Sequence, residues 1–179
     1  MKTQEAIQHL EQIYSHDVMS HFSFRNESTL QIRKNHLLDV LSFLKKGLDG
    51  QSGFEVLTDL TAVDYLEPEK LTKIIYWLQN PTNYERIRVI VFIQRDEKIA
   101  SVTSLWAGAN WYERELFDLF GIEFEGHPDL KRILMPDDWI GHPLRRDYKL
   151  TEESVEFKHG VCPKVPSEII HVTRKQKLK

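Results

Sequence analysis

Two carboxylates and one histidine near the middle of the chain are the side chains best suited to acid–base chemistry. Glu113 and Glu115 lie in the run from Asn110 to Gly121, and His127 follows that run. A hydrolase could use such groups as general base and general acid. Glu113 and Glu115 are two positions apart, however, so on a helix they point in different directions and form a poor pair. A free-standing hydrolase that uses these three residues is therefore an alternative rather than the leading hypothesis.

The sequence lacks the other common motifs of autonomous catalysis. It contains no Gly-rich phosphate loop, no dinucleotide-binding fingerprint and no HExxH zinc motif. The single cysteine, Cys162, excludes an intrachain disulfide and any four-cysteine zinc or iron–sulfur site made by this chain alone. We therefore predict no catalytic, cofactor-binding or metal-binding residues in this chain, and a binding or structural role.

Two Gly-His-Pro sequences are the remaining candidates for a metal site. Gly126-His127-Pro128 and Gly141-His142-Pro143 both combine a residue that tolerates unusual φ with one that fixes φ, which predicts two turns. The histidines could bind a metal, or they could form hydrogen bonds with backbone groups at the turns. The absence of a zinc motif favours the second interpretation.

Composition places the chain among soluble globular proteins. Of its 179 residues, 41% are hydrophobic and 28% are charged. The length predicts one domain, with room for an extension. The formal net charge of −3 argues against binding to nucleic acid. No apolar stretch is long enough for a transmembrane helix, so we expect any membrane association to be indirect, through another protein.

A helix is predicted between Asn110 and Gly121. Asn110 is a good N-cap and Glu113 lies three residues later, as in a capping box. Gly121 is placed to end the helix. Arg114 and Asp118 are four residues apart and can form an ion pair on its surface. Glu113 lies among apolar positions, so it either serves as the capping carboxylate or presents a charge to an Arg or Lys of a partner.

Hydrophobic periodicity predicts the remaining elements upstream of this helix. Helices are expected at residues 3–16 and, capped by Asn35, at 35–46. Strands are expected at 21–24, 29–33, 54–63, 71–79 and 86–93, with the first two and the last two forming hairpins. Residues 99–105 fit either a strand or a short helix. These elements predict an α+β fold: a two-layer α/β domain with a mixed or antiparallel sheet and helices on one face.

The composition changes after Gly121. Five of the seven prolines lie beyond it, and no helical or strand period persists there, although apolar residues remain. We therefore predict a globular domain at 1–121 and an extended Pro-rich C-terminal arm at 122–179 whose apolar anchors dock on a partner. Arg145-Arg146-Asp147-Tyr148 in this arm is a compact charged patch. It either makes bidentate contacts with partner carboxylates or is an ordinary solvated charge run.

The spacing of charged and aromatic residues in this region resembles a known family. Glu113-Arg114-Glu115 is followed by Asp118-Leu119-Phe120 and then by His127 and Lys131. This pattern resembles the signature of the 30-kDa subunit family of respiratory complex I, whose bacterial members are the C-type subunits of NADH-quinone oxidoreductases. The similarity covers roughly residues 30 to 150, and it continues in the segments Leu57–Tyr65, Ser104–Trp111 and Pro136–Tyr148.

The resemblance implies a peripheral-arm subunit of a proton-translocating NADH:quinone oxidoreductase. It implies no cofactor in this chain, with the Fe–S clusters, FMN and quinone held by partner subunits, and no catalysis by the isolated chain. It implies packing against the large quinone-site subunit (of the D type) and the Fe–S subunits, on the cytoplasmic side of a bacterial inner membrane. The residues it assigns to the partner interface are Glu113, Arg114, Glu115, Asp118, His127, Lys131, Arg145, Arg146 and Asp147.

Two further hypotheses remain open. The chain could be the equivalent subunit of a related membrane-bound hydrogenase or of a plastoquinone-reducing complex, because the electron donor is set by other subunits. It could also be a protein-interaction module outside respiration.

Overall fold

The computed structural model describes residues 1–14, 18–48, 50–65 and 70–149. The chain divides into two compact units, which are Met1–Arg145 and Arg146–Lys179. The helices and strands of the described residues all lie in the first unit. In chain order they are α1 (Thr3–Ile13), β1 (Val18–Phe24), β2 (Glu27–Ile32), α2 (Leu37–Lys46), β3 (Val56–Asp64), β4 (Leu71–Gln79), β5 (Arg86–Gln94), β6 (Ile99–Ala100), α3 (Ala109–Phe120) and β7 (Phe124–Glu125).

Five of the strands form one mixed sheet in the order β1-β2-β5-β4-β3. Strands β2 and β5 are parallel, and the other neighbours are antiparallel. Both predicted hairpins, β1–β2 and β4–β5, are confirmed. The second turn is stabilised by Asn80, whose side-chain oxygen accepts hydrogen bonds from the backbone N–H groups of Thr82 and Asn83 at 2.8 and 3.4 Å.

The hydrophobic core lies between the sheet and the three helices. On its core face, the sheet contributes residues such as Tyr76 and Val89, which are paired across β4 and β5 and are both fully buried. The helices contribute Leu10 from α1, Leu41 from α2 and Leu116 from α3, and all five residues belong to one core cluster. The predicted two-layer α+β arrangement, with helices on one face, is confirmed.

Two local expectations differ from the structure. Helix α2 begins at Leu37 after a 3-10 turn at Lys34–His36, so its N-cap is His36 rather than Asn35. The ambiguous segment 99–105 contains only the short strand β6, which pairs in parallel with β7 and is followed by turns. The strand that pairs with β6 therefore follows α3 in the sequence. A local sequence pattern cannot reveal such a pairing.

The first compact unit extends beyond the predicted boundary at Gly121. It ends at Arg145, because residues 122–145 return to α3 and β6 instead of leaving the domain. Residues 150–179 of the predicted arm, including Cys162, lie outside the described residues, and docking of the arm on a partner stays a prediction. No helix within the described ranges has the length and apolar character needed to cross a membrane.

Candidate partner-binding site around helix α3

Helix α3 begins two residues earlier than an N-cap at Asn110 predicts. Its N-cap is Gly108, which makes no side-chain capping bond, and Asn110 lies inside the first turn. The predicted capping box between Asn110 and Glu113 is therefore wrong. The preceding turn explains the shift, because the Ala109 N–H donates to the carbonyl of Trp106 at 3.0 Å and so starts the helical bonding before Asn110.

Glu113 is fully buried and binds the turn after β6. One carboxylate oxygen accepts a hydrogen bond from the Ser101 hydroxyl at 2.7 Å, and the other accepts from the Val102 N–H at 2.7 Å. Burial raises the pKa of Glu113 to about 7, although both hydrogen bonds act in the opposite direction. Glu113 thus ties α3 to the 101–103 turn, and no surface of it remains for a partner.

The Tyr76 hydroxyl lies in the same buried region. It has no hydrogen-bond partner among the described residues. Burial, and secondarily the charge of Glu113, raise the pKa of Tyr76 well above its usual range. The phenol is therefore neutral and remains a donor in the core.

Asp118 is also fully buried, and it organises the loop that follows β7. Its Oδ1 accepts a hydrogen bond from the Arg132 guanidinium at 2.7 Å. Its Oδ2 accepts the N–H groups of three consecutive residues, Ile133, Leu134 and Met135, at 3.0, 2.7 and 2.9 Å. Burial raises the pKa of Asp118, but these four donors together outweigh burial and hold it below its ordinary value.

The segment 142–145 closes the C-terminal end of α3. The last four carbonyls of a helix have no partner within the helix, and here each accepts a hydrogen bond. Taken in order from Phe117 to Phe120, the donors are Gly121 N at 2.9 Å, His142 Nδ1 at 2.9 Å, Leu144 N at 3.0 Å and Arg145 Nε at 2.6 Å.

Gly121 and His142 both suit this arrangement. Gly121 has φ 72°, and a Cβ there would lie 2.6 Å from His142 and from the Arg145 guanidinium, so both conformation and space require glycine. Burial, chiefly, lowers the pKa of His142. The neutral ring donates through Nδ1, as the carbonyl of Asp118 requires.

Arg114 lies against the solvent side of α3. Its guanidinium donates to the carbonyls of Lys131 and Arg132 at 3.1 and 3.3 Å and stacks 5.0 Å from the centre of the Trp111 ring. The predicted ion pair of Arg114 with Asp118 is absent, since Asp118 points inward to Arg132. Arg114 therefore fixes the backbone of the loop beneath an exposed aromatic ring.

The remaining predicted interface residues divide between turn-forming and exposed positions. His127 accepts from the Asp129 N–H at 3.1 Å and lies 3.3 Å from the Asn110 carbonyl, which confirms that it binds backbone at a turn. Glu115 and Lys131 are exposed, and Lys131 pairs with Asp129 at 2.7 Å.

The charged patch at 145–147 also divides. Arg145 caps α3 and contacts Asp96 at 3.1 Å, so it has a structural role in its own chain. Arg146 and Asp147 are exposed residues of the second unit.

The predicted interface residues thus fall into two groups, namely residues that hold the structure of this chain together and residues that are exposed. For Glu113 and Asp118, burial corrects the expectation of direct partner contact, while Arg114, His127 and Arg145 bind backbone within the chain.

Sequence reasoning missed Arg132 and Ser101, because their carboxylate partners come from distant positions. It also undervalued several exposed apolar side chains near α3: Trp111 (64%), Leu134 (59%), Ile140 (68%) and Leu144 (51%).

The acid–base alternative finds no geometric basis. Glu113 is bonded to Ser101 and Val102, and His127 is near the Asn110 carbonyl. Glu115 is exposed on the helix. The three groups do not converge on a common reaction centre.

Comparison with known proteins gives a consistent result. Residues 30–154 match the family described as the respiratory-chain NADH dehydrogenase 30 Kd subunit. The chain is 42% identical to the C-type subunit of the NADH-quinone oxidoreductase of Citrifermentans bemidjiense, over 81% of this chain and 88% of that protein. It is 46% identical to the corresponding protein of Moorella thermoacetica, over 71% and 83% of the two chains.

Among solved structures, a chain of the membrane-bound sulfane sulfur reductase, an archaeal respiratory membrane complex, has the same fold. The TM-score is 0.70 at 23% identity, over 82% of this chain and 85% of that chain. The family match includes α3 and the loop that its buried carboxylates hold in place. The chain therefore belongs to the 30-kDa subunit family of the respiratory-chain NADH dehydrogenase.

Proposed function

We propose that this chain is a structural subunit, without a cofactor of its own, in the peripheral arm of a proton-translocating NADH:quinone oxidoreductase. The observation that carries the proposal is the family match, which spans the rigid assembly of α3 and its following loop. The relatives from Citrifermentans and Moorella are both named as subunits of an NADH-quinone oxidoreductase. In this proposal the isolated chain is not catalytic, and the complex passes electrons from NADH through FMN and Fe–S clusters in other subunits to quinone.

The contact region that we propose is the α3 surface, defined as Trp111, Glu115, Lys131, Leu134 and Ile140. All five side chains are exposed. The buried Glu113 and Asp118 hold the backbone beneath this surface, so the apolar and charged groups are presented with little conformational freedom. A preorganised surface of this kind binds with less entropic cost than a flexible one.

The proposed partner of this surface is the large quinone-site subunit, with the Fe–S subunits nearby. Exposed aromatic anchors are typical of protein interfaces, and Trp111 is the largest one here. The proposed location is the cytoplasmic side of a bacterial inner membrane, where the chain is held indirectly through the complex.

Substitution of Trp111 tests the role of the surface. In a host that relies on this chain, Trp111→Ala should lower the amount of assembled NADH dehydrogenase on a native gel by about tenfold, as expected for a central aromatic anchor. Trp111 is 64% exposed, so the purified variant should keep the stability of the parent. Ile13→Ala is the matched control, because Ile13 is 54% exposed on α1, away from the α3 surface.

Unchanged amounts of complex in the Trp111→Ala strain, with the chain present in it, would remove Trp111 from the interface. Equal losses in both strains would indicate a nonspecific effect of deleting exposed apolar surface.

The likeness to the sulfane sulfur reductase chain concerns the fold alone. It nevertheless indicates that this fold also occurs in a respiratory membrane complex with a different named activity. A donor assay on the assembled complex distinguishes the proposal from an equivalent subunit of a related hydrogenase or plastoquinone-reducing machine: NADH oxidation supports the first, and its absence supports the second.

A further inference from the structure

Strand β1 lies at one end of the five-stranded sheet, and within the described part of the chain it has one neighbour, β2. Both residues of the turn that joins the two strands, Arg25 and Asn26, have positive φ, 52° and 64°, which is the conformation of a type I′ turn. In such a hairpin the residues that flank the turn, here Phe24 and Glu27, exchange both backbone hydrogen bonds. The turn therefore determines which residues of β1 bond to β2.

Two residues of β1 direct their backbone polar groups toward the open side of the strand. Hydrogen-bonded pairs alternate with non-bonded pairs along an antiparallel ladder, and the register is regular from Ser20 to Phe24. Phe22 therefore bonds to β2, whereas the N–H and C=O groups of His21 and Ser23 point away from it. All five residues are exposed. We call the backbone of His21 and Ser23, together with the rings of Phe22 and Phe24, the β1 edge.

The β1 edge lacks the usual protection of a sheet edge. Natural edges are protected by charged side chains, proline or a covering element. At the other end of the sheet, β3 carries the exposed Asp59, and its Thr58 carbonyl accepts a hydrogen bond from the Tyr112 hydroxyl of α3 at 3.2 Å. The seven residues of β1 include no Asp, Glu, Lys, Arg or Pro. Its one bulge lies before Ser20 and leaves the β1 edge regular.

The two sides of the β1 edge differ in polarity. Phe22 and Phe24 are 48% and 61% exposed on one face of the sheet. On the other face, the His21 ring lies 2.6 Å from a carboxylate oxygen of Glu11 on α1, and the groove between α1 and β1 includes the exposed Gln8. Successive side chains of a strand point to opposite faces. A strand added here would therefore meet rings with every second residue and polar groups with the residues between.

We propose that the β1 edge binds an extended segment of a neighbouring protein subunit, which pairs with it as a sixth strand of the sheet. The backbone of that segment bonds to His21 and Ser23, its apolar residues cover the rings of Phe22 and Phe24, and polar residues alternate with them. Addition of a strand to an open edge is a recurrent mode of peptide recognition, in which main-chain hydrogen bonds supply affinity and alternate side chains supply specificity. The inference rests on the proposed function, because a neighbouring subunit requires an assembly.

A second copy of this chain fits the β1 edge less well. At roughly 200 Å² for a whole aromatic side chain, the exposed parts of both rings from two copies would bury only about 400 Å², against about 1,000 Å² for a specific interface. A segment of a subunit that is also held elsewhere in a complex needs no such area at this one edge.

Hydrogen–deuterium exchange at single-residue resolution tests the inference on the full chain. The measurement compares the dilute purified chain with the native-size assembly isolated from host membranes. The amides of His21 and Ser23 should exchange at least about tenfold more slowly in the assembly. Those of Phe22 and Phe24 are the internal control, because they bond to β2 in both samples and should already be slower in the purified chain.

Each other outcome overturns the inference. Fast exchange of His21 and Ser23 in the assembly means that the edge stays open there. Slow exchange in the dilute purified chain means that the chain covers its own edge, and protection that grows with the concentration of the purified chain assigns the edge to a second copy. A chain found in no assembly contradicts the proposed function and this inference together, whereas fast exchange within an assembly contradicts this inference alone.

Substitution of Ser23 provides a second measurement. Ser23→Pro removes an N–H that points outward, so the ladder with β2 is kept, while the ring blocks an added strand. It should lower the amount of chain in the native-size assembly by about tenfold, because a main-chain hydrogen bond is lost. Ser23→Ala keeps the N–H and is the matched control, with no change expected. Circular dichroism of both purified variants establishes that they fold. If Ser23→Pro folds and assembles as well as Ser23→Ala, no strand is added at this edge.

Discussion

Glu113 is the residue at which burial and charge conflict most strongly. Its pKa of about 7 exceeds its ordinary value of 4.5, so the folded protein binds a proton that the unfolded chain releases more readily. The contribution of the protonated Glu113 side chain to the free energy of unfolding is therefore fully present below pH 4.5, and it is lost as the pH rises through 7. At roughly 1.4 kcal/mol per pKa unit, the loss amounts to about 3 kcal/mol.

Replacing Glu113 with glutamine should remove this pH dependence. The amide can still accept from Val102 and can donate to the Ser101 hydroxyl, but it does not titrate. Urea unfolding between pH 5 and 8, a range set by the linkage above, should show the parent losing stability relative to Glu113→Gln as the pH rises. Glu115→Gln, on the exposed side of the same helix, is the control and should follow the parent. Parallel curves for parent and Glu113→Gln would contradict the assignment.

Asp118 has the opposite pH dependence. Asp118→Asn would leave the Arg132 guanidinium facing an amide N–H₂ in a mostly buried site, which should cost about 3 kcal/mol of unfolding free energy near neutral pH. Hydrogen bonds hold the pKa of Asp118 below 3.8. The parent therefore loses its greater stability over Asp118→Asn only as the pH falls through that lowered pKa. Denaturant unfolding at neutral and acid pH measures both effects.

Glu123→Gln is a suitable control for Asp118→Asn, since Glu123 is an exposed residue that pairs with the exposed Lys98. It should change the unfolding free energy by less than about 1 kcal/mol. A similar small effect of Asp118→Asn would mean that the loop 132–135 does not depend on the carboxylate.

The two buried carboxylates also indicate what could be predicted from residues alone. The sequence pattern identified Glu113 and Asp118 as special, and the turn-forming role of His127 followed from its Gly and Pro neighbours. The partners could not be predicted, because Ser101 and Arg132 reach the carboxylates only after β6 and the loop fold against α3. A local capping rule therefore assigned Glu113 to the wrong backbone groups.

At the scale of elements, the C-terminal end of α3 depends on one glycine. Gly121→Ala would impose a Cβ at φ 72° and 2.6 Å from His142 and Arg145, which should lower the unfolding free energy by about 1–3 kcal/mol. Gly108→Ala at the other end of the helix is the matched control, because it has φ −64° and no atom within 4 Å of the added Cβ. Thermal or urea unfolding of both variants gives the comparison.

Gly108→Ala should be neutral or slightly stabilising. Equal effects of the two substitutions would indicate that neither the conformation of Gly121 nor its contact with the 142–145 segment matters for stability.

The prediction of helices and strands succeeded where the sequence has a regular hydrophobic period. It failed where tertiary contacts determine the path of the chain. The alternation in β4 and β5 and the helical spacing in α2 identified those elements, and the sheet with helices on one face followed. Residues 122–145 have no period, so the sequence suggested an arm leaving the domain. The Leu144 N–H and the side chains of His142 and Arg145 donate to the last carbonyls of α3. A local sequence pattern cannot reveal such long-range hydrogen bonds.

At the scale of the whole molecule, the chain presents exposed apolar side chains on α3 and on the loop that follows β7. The buried Asp118 fixes the backbone of that loop. A subunit that acts by holding other subunits in place benefits from such a preorganised surface.

We propose that this chain works as a subunit of an NADH-oxidising membrane complex. The most direct measurement is a native gel of mildly solubilised host membranes, probed for this chain and stained for NADH dehydrogenase activity. We expect both signals to coincide in one large band. A chain found only as a small species, apart from the activity, would contradict the claim.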